Sequence, residues 1–219
     1  MKMADRVHQP ASSGERQLQI RYGTEARAAA FYREQVLDHL NPAMQAFIER
    51  MEMMFVATTD AQGRCDCSLR CGPPGFVRVL DASTLIYPEY RGNGVMASLG
   101  NISETGSIGL LFVDWFESTV GLHVNGRAAI VENEALAAQP DIPPAVRADL
   151  AVAGGRHPER WVRVTVEEAY IHCAKHVPRL IRGDKTLAWG TDDARLKGGD
   201  FFGVRAARLA SRLEPPSGK

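Results

Sequence analysis

Tyr87-Pro88-Glu89-Tyr90-Arg91-Gly92-Asn93-Gly94-Val95-Met96-Ala97-Ser98-Leu99-Gly100-Asn101 follows an apolar, strand-like run and leads into a short helical pattern. Arg91 and the backbone of Gly92, Asn93 and Gly94 are therefore expected to converge where a helix begins. Amides at a helix N-terminus, reinforced by the helix dipole and a guanidinium, favour a phosphate. A short glycine motif also occurs as an ordinary strand-to-helix turn, so the flanking segments must decide its meaning.

Upstream, Phe76 to Leu80 and Thr84 to Tyr87 read as a short hairpin around Asp81-Ala82-Ser83, after the breaker Cys71-Gly72-Pro73-Pro74-Gly75. Before that, Met54 to Thr59 and Arg64 to Arg70 read as a second hairpin around Asp60-Ala61-Gln62-Gly63. Alternation puts Cys65, Cys67 and Leu69 on a face expected to be apolar, and Asp66, Ser68 and Arg70 on a polar, cationic one. Downstream, a helix over 94–103 carries Val95, Leu99 and Ile102 inward and ends at Thr105-Gly106. Strands then follow over 107–115, over 119–132 with a bulge expected at Gly126, and over 161–173.

Toward the N-terminus, apolar positions place a helix over Thr24 to Leu40. A second helix is capped by Asn41 with Pro42 first, and Met44, Phe47, Ile48 and Met51 form its packing face. Residues 1–23 lack apolar periodicity and read as a mobile tail. One domain is expected over 24–180, with 133–160 as an insertion of no readable role. A C-terminal extension over 181–219 carries Leu187-Ala188-Trp189 and Phe201-Phe202-Gly203-Val204, too apolar to stay free, and is expected to pack on the barrel or a dimer partner. The sum is six or seven mainly antiparallel strands with flanking helices, a mainly β fold of closed or split barrel type.

Twenty-six basic side chains balance 26 acidic ones over 219 residues, so no global field recruits nucleic acid or an anionic membrane. No apolar run is long enough to span a bilayer and no secretory signal is readable, which gives a cytoplasmic expectation. Four cysteines suit reduced thiols rather than a disulfide framework.

Taken in order, Ser68-Leu69-Arg70-Cys71-Gly72-Pro73-Pro74-Gly75-Phe76-Val77-Arg78-Val79-Leu80-Asp81, then Tyr87 to Gly94, Ser98-Leu99-Gly100-Asn101 and Gly109-Leu110-Leu111-Phe112-Val113-Asp114 resemble the pyridoxamine 5'-phosphate oxidase-like flavin-binding split-barrel superfamily. The similarity runs from about Asn41 to Cys173. It implies a six-stranded antiparallel split β-barrel that forms a homodimer, with FMN in clefts at the interface, an oxidoreductase activity and a small-molecule substrate. Ser68, Arg70, Arg78, Arg91, Asn93 and Gly94 would then surround the ribityl phosphate, Tyr87 and Pro88 would lie beside the isoalloxazine, and Asn101 near the ribityl chain or phosphate. Arg163 or Lys175 would face the flavin N1 and C2 carbonyl. The true oxidase carries a Ser-Arg-Lys phosphate run, whereas this chain reads Tyr90-Arg91-Gly92-Asn93-Gly94 with no lysine, which argues against vitamin B6 oxidation. Other branches use F420 or bind haem, so an F420-dependent reductase and a non-catalytic flavin or haem storage protein are the alternatives.

The remaining clusters have structural explanations. Cys65, Cys67 and Cys71 lack the paired C-x2-C spacing of a zinc module and read as small core cysteines. His172 and His176 are spaced for one helix face, but they lie where a strand ends, so His172 and Lys175 are expected to border the flavin cleft or cap the barrel. His123, among apolar neighbours in a strand, reads as structural. Without G-x-S-x-G, a P-loop or H-E-x-x-H, the hydrolase, NTPase and zincin readings lose their handles. Flavin chemistry needs none of these, because the protein supplies mainly binding, orientation and electrostatics.

Overall fold

A computed structural model describes residues 11–140 and 142–213. Seven strands form one antiparallel sheet: β1 (Met53–Thr59), β2 (Cys65–Cys71), β3 (Arg78–Asp81), β4 (Thr84–Glu89), β5 (Ser107–Val113), β6 (Gly121–Val131) and β7 (Arg160–His172). Their spatial order is β2-β1-β5-β6-β7-β4-β3. The mainly antiparallel β class with flanking helices is as expected, and the seven strands fall within the six or seven read from the residues, one more than the resemblance implied. The seventh is the short arm β3, which pairs only with β4, through Arg78↔Ile86 and Val79↔Leu85, and is irregular before Asp81.

The hairpin of β1 and β2 forms in the expected place, and Asp60 closes it by accepting from the backbone of Gln62 and Arg64, both at 2.9 Å. Between Asn125 and Gly126 the β6 to β7 register shifts, as the lone glycine suggested. A Cβ at Gly126 would lie 2.0 Å from the Thr165 carbonyl oxygen, so only glycine fits this bulge.

The helices are α1 (Ser13–Tyr22), α2 (Glu25–Gln35), α3 (Pro42–Glu49), α4 (Ala97–Thr105), α5 (Asn133–Ala137), α6 (Pro144–Leu150) and α7 (Val204–Leu213). Helix α1 corrects the expectation of a tail over 1–23 for its described part; residues 1–10 lie outside the described residues. The helix buries no side chain, so periodicity could not announce it. Its signals are local: Ser12 and Glu15 form a capping box and Gly23 closes the other end in a left-handed conformation at φ 62°. Helix α2 stops at Gln35, short of Leu40, because the chain turns extended and Leu37 pairs with Ala169. Helix α3 starts as expected, with the Asn41 Oδ1 accepting from Met44 N at 2.9 Å.

Two apolar clusters occupy opposite faces of β4 and β7. Tyr87, Leu85, Val162 and Val164 join Ile48, Met54, Leu110, Phe112 and Val124 in the main core. Ile86 and Trp161 point the other way and are covered by Leu136, Ile142 and Val146. The 133–160 insertion thus has a structural role: α5 and α6 roof the outer face of β4 and β7, and Asn133 accepts from Trp161 Nε1 at 3.1 Å.

The alternation along β2 is right and its expected polarity is inverted. Cys65, Cys67 and Leu69 face outward and are exposed, while Asp66, Ser68 and Arg70 are half-buried beneath α4. The cysteines are therefore not core residues, and all four are free thiols. Val95 is also outside, at 72 % exposure, because the helix begins at Ala97 and leaves it in the turn. Among the described residues, no group of three or more His, Cys, Asp and Glu could hold a metal ion, and no helix is long and apolar enough to cross a membrane.

Candidate functional site

Strand β4 ends at Glu89, and the chain then runs as an irregular turn to the left-handed Met96 before α4 begins. Gly94 has φ +79° and Gly92 does not, yet a Cβ on either would meet nothing within 4 Å. The turn is open to solvent rather than pressed against the protein, which leaves its backbone accessible to a ligand. Asn93 shapes it by accepting from Val95 N at 2.9 Å.

A cleft of about 870 Å³ lies between this turn, the inner face of β2, the start of β7 and a piece of the C-terminal extension. Ser68, Arg70, Arg91, Asn93 and Gly94 all line it. At its floor Arg70 Nε donates to Glu89 Oε1 at 2.9 Å. Burial raises the pKa of Glu89, and the neighbouring Arg70 guanidinium only partly offsets this. Beside them Ser68 and Ser98 both donate to Asp66 Oδ2 at 2.8 Å. At the rim Arg91 Nη2 meets Asp192 Oδ2 at 2.8 Å, and Lys197 Nζ meets Asp192 Oδ1 at 3.1 Å. Hydrogen bonds from Lys197 and then Arg91 lower the Asp192 pKa.

Six other expected site residues are held elsewhere in the chain. Arg78 grips Asp149 of α6 through two hydrogen bonds, at 2.8 and 3.1 Å, and braces the insertion. Asn101 Nδ2 donates to Thr58 Oγ1 at 3.0 Å and ties α4 to β1. Arg163 Nη2 donates to Gln139 Oε1 at 2.6 Å, while its buried Nε has no partner among the described residues. Tyr87 is fully buried, its hydroxyl has no hydrogen-bond partner among the described residues, and its pKa is raised first by burial and then by Glu89. Pro88 is buried opposite Trp161, beyond the reach of β3, so its missing N–H interrupts no ladder there. Lys175 is exposed after the far end of the 13-residue β7, away from Arg160 at the cleft.

His172 does not border the cleft either. It ends β7, its Nδ1 lies 3.0 Å from His123 Nε2, and His123 stacks on Tyr170 with centroids 4.7 Å apart. The helix-face pairing of His172 with His176 does not form. Sequence reasoning assigned no role to Glu89, Trp189, Asp192 or Lys197, all of which line the cleft. The apolar cluster around Trp189 signals that this part of the extension packs, whereas Phe201 and Phe202, also expected to pack, stand 85 % and 88 % exposed.

The open glycine turn and the two cations meeting at one carboxylate form a donor set suited to a phosphomonoester. FMN, which the resemblance implies, fits here by its phosphate end.

The fold is a mainly antiparallel β protein with flanking helices and a cleft beneath the turn that joins β4 to α4. Residues 40–173 match the family model described as pyridoxamine 5'-phosphate oxidase, and the chain belongs to that family. Among solved structures it is similar to HupZ from Group A Streptococcus, at 25% identity and TM-score 0.44, over 66% of this chain and 99% of that one. A putative pyridoxamine 5'-phosphate oxidase from Lactobacillus delbrueckii is 23% identical with TM-score 0.42, over 62% and 98%. HutZ, a haem storage protein from Vibrio cholerae, is 14% identical with TM-score 0.39, over 60% and 92%. No curated protein sequence matches the chain.

Proposed function

We propose that this protein is a cytoplasmic, homodimeric FMN-dependent oxidoreductase that exchanges electrons between the flavin and a nicotinamide nucleotide or small organic substrate. The observation that carries this reading is the convergence of Arg91 and Lys197 on one anion position beside the open turn of Gly92 and Gly94. In this reading Arg91, Lys197 and the turn amides bind the phosphate, and Ser68, Asn93 and Gly94 shape the pocket around it. Arg70 and Glu89 present a donor and an acceptor side by side on the cleft floor, which orients a polar ligand edge. When bound, FMN supplies hydride and electron transfer. Vitamin B6 oxidation is not proposed, because the turn itself supplies Arg91 and no lysine.

The proposed dimer uses the outer face of the sheet. Leu69, Phe55, Leu111, His123 and Tyr170 stand opposite one another on five successive strands and form a continuous row. Leu69 is 51 % exposed, and Phe55 and Leu111 are half-exposed. A partly apolar row of this kind suits a self-complementary interface. Three exposed free thiols accord with a reducing compartment.

Mass spectrometry of the small molecule that copurifies, followed by FMN titration, tests the reading. FMN is expected, and Arg91→Ala should weaken its binding by about 1.5 to 3 kcal/mol. A colourless protein that takes up no FMN would overturn it. A haem-binding reading rests on a different place, the His123 and His172 pair on the outer face. It predicts a Soret band that His172→Ala abolishes and Arg91→Ala leaves unchanged.

A further inference from the structure

The chain beyond β7 returns across the molecule through a few definite contacts. Leu180 N donates to the Trp115 carbonyl at 2.8 Å, and Arg182 pairs with Glu52. Farther along, its backbone crosses that of the turn over 154–156 at very close range. A Cβ on Gly155 would lie 2.1 Å from the Trp189 carbonyl oxygen, and one on Gly190 would lie 2.6 Å from Gly155 Cα. Gly190 also has φ +65°. Two facing glycines are what let the segment seat there. Once seated, it sets the Trp189 ring edge-on to Tyr90, with centroids 5.3 Å apart, and brings Asp192 between Arg91 and Lys197.

We infer that residues 189–197 are a strap that completes the ligand site, in which Trp189 and Lys197 are binding residues and the Asp192 carboxylate holds the anion position until a phosphomonoester displaces it. This rests on reading the turn as a phosphate site and is independent of what else the ligand carries. Lys197 brings to the rim, from more than a hundred residues away, the second cation that the turn lacks. Both ion pairs of Asp192 are partly solvated, so each is weak and can be exchanged. A phosphate dianion offers more charge and more acceptor oxygens than the carboxylate it replaces. Asp192 is thus an internal competitor, tethered at high local concentration, that favours dianions over monoanions.

The test uses the full chain and two probes, FMN by fluorescence quenching and inorganic phosphate by calorimetry. Asp192→Asn, at an exposed position that leaves packing intact, is expected to tighten both probes about three- to tenfold. Lys197→Met is expected to weaken both by a similar factor. Unchanged or weaker binding of inorganic phosphate in Asp192→Asn, no effect of Lys197→Met, or no phosphate binding by either protein overturns the strap. If phosphate follows the expected pattern while FMN binds neither protein, the strap stands and the flavin reading falls.

Discussion

Arg70 and Glu89 are joined across the floor of the cleft, from the edge strand β2 to the end of β4, by a hydrogen bond of 2.9 Å between groups that are both largely withdrawn from water. Pairing holds the two charges there, since either alone would bear an uncompensated desolvation cost.

Burial raises the folded-state pKa of Glu89, so the folded protein holds this proton more tightly than the unfolded chain does. The stability that this contributes is present below the unfolded pKa of about 4.3 and is lost as pH rises through the higher folded value. Thermal melts between about pH 4 and pH 7 should therefore show the wild type losing ground relative to Glu89→Gln as pH rises. Parallel curves would remove Glu89 as the source.

Asp114 shows the opposite sign. Desolvation opposes its charge but is outweighed by hydrogen bonds from Ser118, Glu117 and Phe116, so its pKa is lowered. Its contribution is present above about pH 3.9 and is lost as pH falls through the lower folded value. Asp114→Ala should cost about 1 to 3 kcal/mol in urea unfolding at neutral pH. The gap should narrow in acid.

Leu136 of α5 is 1 % exposed and packs in the second cluster with Trp161 and Val146. Leu136→Ala should cost about 2 to 5 kcal/mol by denaturant unfolding, since the cavity opens under a roof held by few other side chains. A loss below about 1 kcal/mol, within the range of surface changes, would show that the insertion does not share the cooperative unit.

Thiol labelling of the native protein should be biphasic. Cys65 and Cys173 are exposed and should react fast, whereas Cys71 is half-buried and burial raises its pKa, so it should react last. Slow labelling of Cys67 in the intact protein, made fast by dilution or by Leu69→Asp, would place β2 in a dimer interface.

Much of this was legible beforehand where local chemistry and tertiary packing agree. Asn41-Pro42 opens α3, Asp60 to Gly63 turns the first hairpin, and Gly126 marks the bulge, because each depends on a backbone requirement that few residues meet. Polarity along β2 was misread because cysteine is apolar by composition, whereas the half-buried face is the one whose charges find partners in Glu89 and Ser98. Arg78 and Arg163 looked like ligand residues, and each is engaged by a partner in the insertion, whose position no strand pattern could foretell. Asp192 and Lys197 stayed hidden because they reach the cleft through a glycine crossing between distant segments.

The two borders of the sheet are unequal as templates. Strand β3 is four residues long, irregular before Asp81 and anchored through Arg78 to α6, so it offers little backbone for another strand to copy. Strand β2 is seven residues long and regular against β1, and among the described residues no strand pairs with its outer side. Any strand-to-strand aggregation of this protein, or oxidative crosslinking between copies through Cys65 and Cys67, accordingly starts at that single border.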